Sequence, residues 1–265
     1  MPAGSFSLPS PPIAHIDGWP VNLADLTSAV TVIVQAARRG ESFAVFTLNL
    51  DHLDKLRRSS RFRAAYAKAR YTTADGAPVA MLAARQNACF KRTPGSDLIV
   101  PLAVAAAKQG VSIYLYGTTP DVLASAGATL VERAGFNLVI AGAESPPQGF
   151  DPEGSEADAA LDRIAASGAS LCLVALGAPK QELFSARAVE RNINVGFVCI
   201  GAGLDFIAGR QSRAPGFMQR YGLEWFWRLA TNPRRLTLRY ARCALVLAEI
   251  ALLAPVKQRL AKTGL

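Results

Sequence analysis

The sequence predicts an α/β protein with a mostly parallel sheet flanked by helices and a basic helical appendage at its C-terminal end. Three observations carry that expectation. Short apolar runs alternate with amphipathic helical stretches from about residue 43 to residue 200, the pattern of βαβ units. Of the 265 residues, 51% are hydrophobic and 18% charged, which suits a sizeable buried core and excludes a wholly disordered chain. The net charge of +9 is confined to one end: residues 1–209 carry 18 Lys/Arg and 18 Asp/Glu, whereas residues 210–265 carry 11 Lys/Arg against Glu224 and Glu249 alone.

Residues 1–22 are rich in Pro and Ser and are expected to be extended or mobile. The α/β domain follows over 23–209. Phe43–Thr47 reads as a buried strand and Asp51–Arg70 as a polar amphipathic helix. A short strand, Tyr71–Thr73, precedes helices over Gly76–Asn87 and Ser96–Gln109. The strand Val111–Tyr116, the helix Asp121–Ala134 and the strand Asn137–Ala141 come next, and Glu144–Gly154 is a Pro/Gly-rich loop. The helix Glu156–Ser167, the strand Ser170–Leu176, the helix Lys180–Arg191 and the strand Asn194–Ile200 complete the domain.

The tail, 210–265, differs in character. Phe217, Tyr221 and Trp225 fall at i, i+4, i+8, an aromatic stripe on a helix. Arg235, Arg239 and Arg242 share one helical face, with Leu236, Tyr240, Cys243, Leu247 and Ile250 on a face about 100° round. A basic amphipathic helix fits a membrane interface. A helix that packs its apolar side on the body fits the same pattern. The positive excess suits an anionic partner, and nucleic acid, anionic lipid and a diphosphate all qualify. The longest apolar stretch, Cys243 to Val256, is shorter than the ~20 residues of a spanning helix. The N-terminus lacks a basic and an apolar signal region, so a cytosolic protein that touches a membrane is expected. Cys89, Cys172, Cys199 and Cys243 have no CxxC spacing and read as free thiols in a reducing compartment.

Ligands of parallel sheets bind at the carboxyl ends of the strands. Four such ends carry polar or glycine-rich residues: Thr47-Leu-Asn49, Gly117-Thr-Thr-Pro120, Gly177-Ala-Pro-Lys-Gln-Glu182 and Gly201-Ala-Gly203-Leu-Asp205. Gly117 opens a strand-to-helix turn of the kind that holds phosphate. Gly201-Ala-Gly203 begins like a dinucleotide fingerprint, but Phe206 stands where the third glycine belongs. A Rossmann-type oxidoreductase is thereby disfavoured as the alternative. Asp75 follows a short strand and precedes Gly76, where it serves either as a reactive carboxylate or as the N-cap of the next helix. Thr47 and Asn49 end the preceding strand and stand to face it. With two histidines and no Asp-x-Asp pair, neither a His-based metal site nor a metal-bound diphosphate is indicated, and the tail arginines would hold a leaving diphosphate instead.

Several segments taken together resemble the WecG/TagA/CpsF glycosyltransferases of bacterial cell-surface polymer synthesis. They are Thr47-Leu-Asn49, Ala74-Asp75-Gly76, Arg92-Thr-Pro-Gly-Ser-Asp97, Gly177-Ala-Pro-Lys-Gln-Glu182, Asp205-Phe-Ile-Ala-Gly209, Arg213-Ala-Pro215, Gly222-Leu-Glu-Trp225, Arg228 and Pro233-Arg-Arg235, in the family's order. Leu48 stands where the family usually has proline, Gly201–Phe206 reads GAGLDF for GGTFDF, and Leu183-Phe184 follow the Pro-Lys-Gln-Glu segment. The resemblance implies a Rossmann-like body with a C-terminal appendage that closes over the site at the membrane. It implies inverting transfer from a UDP-sugar to a polyprenyl-diphosphate-linked saccharide, without a metal or other cofactor, in exopolysaccharide synthesis. The enzyme would lie peripherally on the inner face of the cytoplasmic membrane, bound to its anionic surface and not to nucleic acid. UDP-hexose, UDP-hexuronate and UDP-N-acetylmannosamine are all compatible donors, and oligomerisation stays open. Carried over, Asp75 matches the catalytic base and Thr47 its partner. Asn49, Arg92, Gln181, Asp205, Gly117 and Gly177 would line the substrate site. Arg213, Arg220, Arg228, Arg234 and Arg235 would meet the diphosphate, and Arg235, Arg239 and Arg242 the membrane.

Overall fold

The computed structural model describes residues 12–231 and 233–263, without the side chains at 219, 220, 228, 235 and from 253 onward. It opens with an antiparallel hairpin, β1 (Ala14–Ile16) and β2 (Trp19–Val21), whose two-residue turn is Asp17-Gly18. Both turn residues have positive φ, 53° and 85°, as the tight hairpin turn requires. The hairpin corrects the expectation that residues 1–22 are extended or mobile: 14–21 are ordered, with Ala14, Ile16 and Val21 buried, while 1–11 lie outside the described residues.

The sheet has six strands: β3 (Phe43–Leu48), β4 (Tyr71–Ala74), β5 (Ile113–Gly117), β6 (Ile140–Glu144), β7 (Leu171–Ala175) and β8 (Gly196–Cys199). Its order is β4-β3-β8-β7-β5-β6 and every pairing is parallel. β3, β5, β7 and β8 are buried along their whole length, which is why they read as unbroken apolar runs.

Helices cover both faces. Helices α1 (Leu26–Arg38), α5 (Gly95–Gln109), α6 (Pro120–Arg133) and the short α9 (Gly203–Ile207) pack on the face that carries Phe43, Val45, Leu115, Leu173 and Val198. Helices α2 (Leu50–Arg58), α3 (Ser60–Tyr66), α4 (Ala77–Gln86), α7 (Ser155–Ala166) and α8 (Lys180–Glu190) pack on the alternate residues, among them Ala44, Phe46, Leu48, Tyr116 and Phe197.

Three elements differ from the sequence expectation. The single helix over 51–70 is two, because Ser59 is extended (φ −123°, ψ 113°) and its hydroxyl caps α3 at Phe62. The strand expected over 137–141 runs over 140–144, since Phe136 adopts φ 64° and its N–H still bonds Val131 of α6. Helix α1 has no counterpart in the reading. Its run of Thr and Val lowers helix propensity, and burial of Ala29, Ile33, Val34 and Ala36 with an Asp25–Ser28 capping box outweighs it.

The tail forms α10 (Gly216–Arg220), α11 (Glu224–Thr231) and α12 (Pro233–Thr263). The aromatic stripe is therefore not one helix: Gly222 (φ 71°) breaks it between Tyr221 and Trp225. Helix α12 lies along α2, with Cys243 and Val246 buried and Ile250 against the same cluster. Arg239 donates to Asp51 at 2.9 Å, and Arg57 of α2 pairs with Glu249. Of the face expected to meet the membrane, Arg239 pairs with Asp51 yet stays exposed, Arg242 is exposed, and the Arg235 side chain lies outside the described residues. Leu238, Leu245 and Leu252 point outward instead, 63%, 65% and 72% exposed, at a seven-residue repeat. Among the described residues no helix is long and apolar enough to cross a membrane.

Gly196 pairs with Phe43, and a Cβ there would lie 2.1 Å from the Phe43 ring. Gly196→Ala should destabilise the fold by about 1–3 kcal/mol through overpacking. The expected result is a lower urea midpoint at unchanged slope.

Candidate functional site

The carboxyl ends of β3 and β4 meet first. Asn49 caps α2: its Oδ1 accepts the His52 N–H at 2.9 Å, which leaves its Nδ2 to face Asp75 Oδ2 at 3.4 Å. The Asp75 N–H continues the ladder to Leu48 O at 2.8 Å. Asp75 is not the cap of α4; that position is Gly76, at φ 80° and with no side-chain hydrogen bond. Its carboxylate is thus held half-buried at a sheet edge beside a neutral amide. Thr47 pairs in register with Thr73 and is 4% exposed, close to where α5 begins at Gly95. It walls the site, and the contact to Asp75 comes from Asn49.

The appendage packs against this corner. A Cβ on Gly222 would lie 2.6 Å from Ala77 Cβ, just past Asp75. Arg92 donates to Glu224 of α11 at 2.8 Å and lies 3.7 Å from Asp97. Arg213 donates to Asp97 at 2.6 Å and to Ser96 at 3.2 Å, lies 3.6 Å from Glu224 and covers the Phe206 ring. Two guanidinium groups therefore share two carboxylates, one from the body and one from the tail. Arg213 Nε is buried without a hydrogen-bond partner among the described residues. Of the other arginines expected here, Arg234 is exposed, and the side chains of Arg220, Arg228 and Arg235 lie outside the described residues.

At the end of β8, Gln181 accepts the Gly201 N–H at 3.0 Å. Its Nε2 donates to Glu182 at 2.7 Å, and Glu182 lies 3.6 Å from His52 Nε2. His52 Nδ1 is 2.9 Å from the Tyr66 hydroxyl. His52 and Glu182 are not an ion pair. Burial holds the imidazole neutral, its pKa pushed down to about 3, and raises the carboxyl to about 7. The Gly201-Ala-Gly203 turn serves packing: a Cβ on Gly203 would lie 2.3 Å from Ile99 of α5. That accounts for its glycine without a dinucleotide.

At the centre, β5 and β7 are neighbours whose chains leave in opposite directions, to β6 and to β8, which makes a crevice of the kind that takes ligands. Gly117 (φ 123°) is required there, since a Cβ would lie 2.4 Å from Ala175 O. Thr118 follows at φ 43°, a strained conformation for a β-branched residue. Its hydroxyl donates to Asp205 at 3.3 Å, and its carbonyl accepts from Ser145 at 2.6 Å. Gly177 at the end of β7 has open space where a side chain would stand.

Sequence reasoning missed His52 and Tyr66, which nothing in the spacing marks. Asp97, Glu182 and Glu224 stood in the family-like segments without a role of their own.

The model of the glycosyl transferase WecG/TagA/CpsF family matches residues 14–262.

Glu182 and His52 make opposite contributions to stability. The folded Glu182 value lies above the ordinary 4.5, so the unfolded chain loses this proton first and stability falls as pH rises from about 4.5 to about 7. The folded His52 value lies below 6.5, so stability falls as pH drops from about 6.5 to about 3. Glu182→Gln removes the first effect. Its unfolding free energy relative to the parent should grow by about 3 kcal/mol between pH 5 and pH 8, measured by urea titration at each pH.

Proposed function

Because the chain belongs to the WecG/TagA/CpsF family of glycosyltransferases, which serves cell-surface polysaccharide synthesis, we propose that it moves a sugar from a UDP-sugar to a polyprenyl-diphosphate-linked saccharide with inversion, at the cytoplasmic face of the membrane. Asp75 acts as general base. It takes the proton of the acceptor hydroxyl while that oxygen attacks the anomeric carbon from the face opposite the nucleotide. The bond from that carbon to the diphosphate breaks, and its electron pair leaves with UDP. The observation that carries this reading is the Asp75 carboxylate kept out of helix capping and set beside the Asn49 amide, on adjacent strand ends. A base so placed contributes about 10²–10⁴ in rate.

The rest of the rim supports the same assignment. Four strand spacings of about 4.8 Å separate Asp75 at β4 from Gly117 at β5, roughly 19 Å, a length that suits an extended UDP-sugar. The nucleotide would lie at the Gly117, Gly177 and Asp205 end, and the transferred sugar toward Gln181, Thr47 and Asp75. Arg92 and Arg213 stabilise the departing diphosphate in place of a metal ion, exchanging their bonds to Asp97 and Glu224 for bonds to phosphate oxygens. Arg220, Arg228, Arg234 and Arg235 supply further positive charge from the tail. Leu238, Leu245 and Leu252, with the exposed Phe217, Tyr221, Trp225 and Phe226 and the cations Arg234 and Arg242, carry the protein to an anionic membrane and its lipid-linked acceptor.

The test is calorimetry with UDP in EDTA, NAD as control, followed by turnover of UDP-sugars on a lipid-linked acceptor. Asp75→Asn should keep UDP affinity within about twofold and cut kcat by about 10²–10⁴. NAD binding without UDP binding would overturn the assignment. On vesicles with anionic lipid, the full chain should bind at low salt and release as ionic strength rises, and neutral vesicles should bind it less. Equal binding to both would remove the electrostatic part of the membrane reading.

A further inference from the structure

From Gln181 at the rim a chain of buried polar groups runs inward to Glu182 and His52, and the transfer chemistry gives those two no role. Gln181, Glu182 and His52 are 4%, 0% and 3% exposed. The Gly201 N–H is a donor, so only the oxygen end of the Gln181 amide can meet it. The nitrogen end then needs an acceptor in the interior and finds Glu182 Oε1 at 2.7 Å. The other carboxyl oxygen of Glu182 has no hydrogen-bond partner among the described residues. Gly201 in turn opens the turn (φ 55°) that links β8 to α9, and α9 carries Asp205 to Thr118.

We propose, on the basis of the transferase reading, that Glu182 is a positioning residue: its carboxyl decides which end of the Gln181 amide faces Gly201, and so sets the β8–α9 turn beside which the donor lies. An apolar side chain at 182 leaves the Gln181 nitrogen buried without an acceptor, or turns the amide so that two donors oppose one another. The carboxyl accepts the Gln181 bond whether or not it is ionised. The titratable groups around it are Asp51, Lys55 and His52 from α2, Tyr66 from α3 and Cys199 from β8. Burial dominates and raises Glu182 to about 7; Lys55 opposes that and Asp51 adds to it. His52 is neutral, and the Tyr66 phenol and Cys199 thiol are pushed well above their ordinary values, so none of the three supplies a compensating charge. The Gln181 bond itself favours the charged form, so the amide keeps its acceptor as the carboxyl ionises.

The test compares Glu182→Leu and Glu182→Gln with the parent full chain, by UDP affinity in EDTA from about pH 6 to pH 8.5 and by hydrogen exchange at the Gly201 amide without ligand. Glu182→Leu should weaken UDP binding roughly tenfold or more and speed Gly201 exchange by a similar factor. Glu182→Gln keeps an acceptor and cannot ionise. It should recover most of both losses. A folded Glu182→Leu chain with parental Gly201 protection would overturn the proposal. So would a Glu182→Gln chain, its acceptor intact, whose Gly201 amide exchanges tenfold or more faster than the parent's, and this second comparison decides if the leucine variant does not fold. Failure of the parent to bind UDP at any pH would sink the transferase reading instead, and Gly201 exchange would then judge the positioning role on its own.

Discussion

The arrangement depends on one constraint: four of the six strands are buried on both faces, and their amides and carbonyls are satisfied only by parallel neighbours. Side chains along β3, β5, β7 and β8 must then be apolar or small, and polar chemistry is pushed off the sheet to its rim. The carboxyl-terminal rim receives it because each strand there hands over to a loop or helix start with free backbone donors. Asn49, Asp75, Gly117, Gln181 and Gly201 all stand within a few residues of such an end. The glycines follow from the same crowding: Gly117 and Gly196 sit where a Cβ would strike the neighbouring strand.

Charge is the second organising element. The body is neutral and the tail strongly basic, yet part of the tail's charge is returned to the body. Arg239 goes to Asp51, Arg213 to Asp97, and Glu224 of the tail accepts from Arg92. These contacts are partly exposed, so each one singly adds little to stability. Their effect is geometric. They hold α12 against α2 and tie α11 to Arg92 ahead of α5, and the turn at Gly222 meets Ala77, two residues past Asp75. The buried network around Glu182 works in the opposite electrostatic regime. There the low dielectric makes charge unfavourable, so His52 and Glu182 are adjacent as neutral groups and orientation is all they supply.

The sequence by itself determined the α/β class, the order of most elements and the four strand ends at which polar residues gather, because period and apolar run length are local properties. It determined the basic tail by count, and it reduced Asp75 to two roles. The tertiary structure removed the capping role, since Gly76 and not Asp75 holds the cap position of α4 and the Asn49 amide arrives from another strand. Only the tertiary structure turned α12 so that Cys243 and Val246 face the body, broke the aromatic stripe at Gly222 and ordered the Asp17-Gly18 hairpin against the core. The same is true of Glu182. Its place in the Pro-Lys-Gln-Glu segment says nothing of burial until α3, α8 and β8 close round it, and burial, a sum over distant neighbours, is what no short stretch of sequence contains.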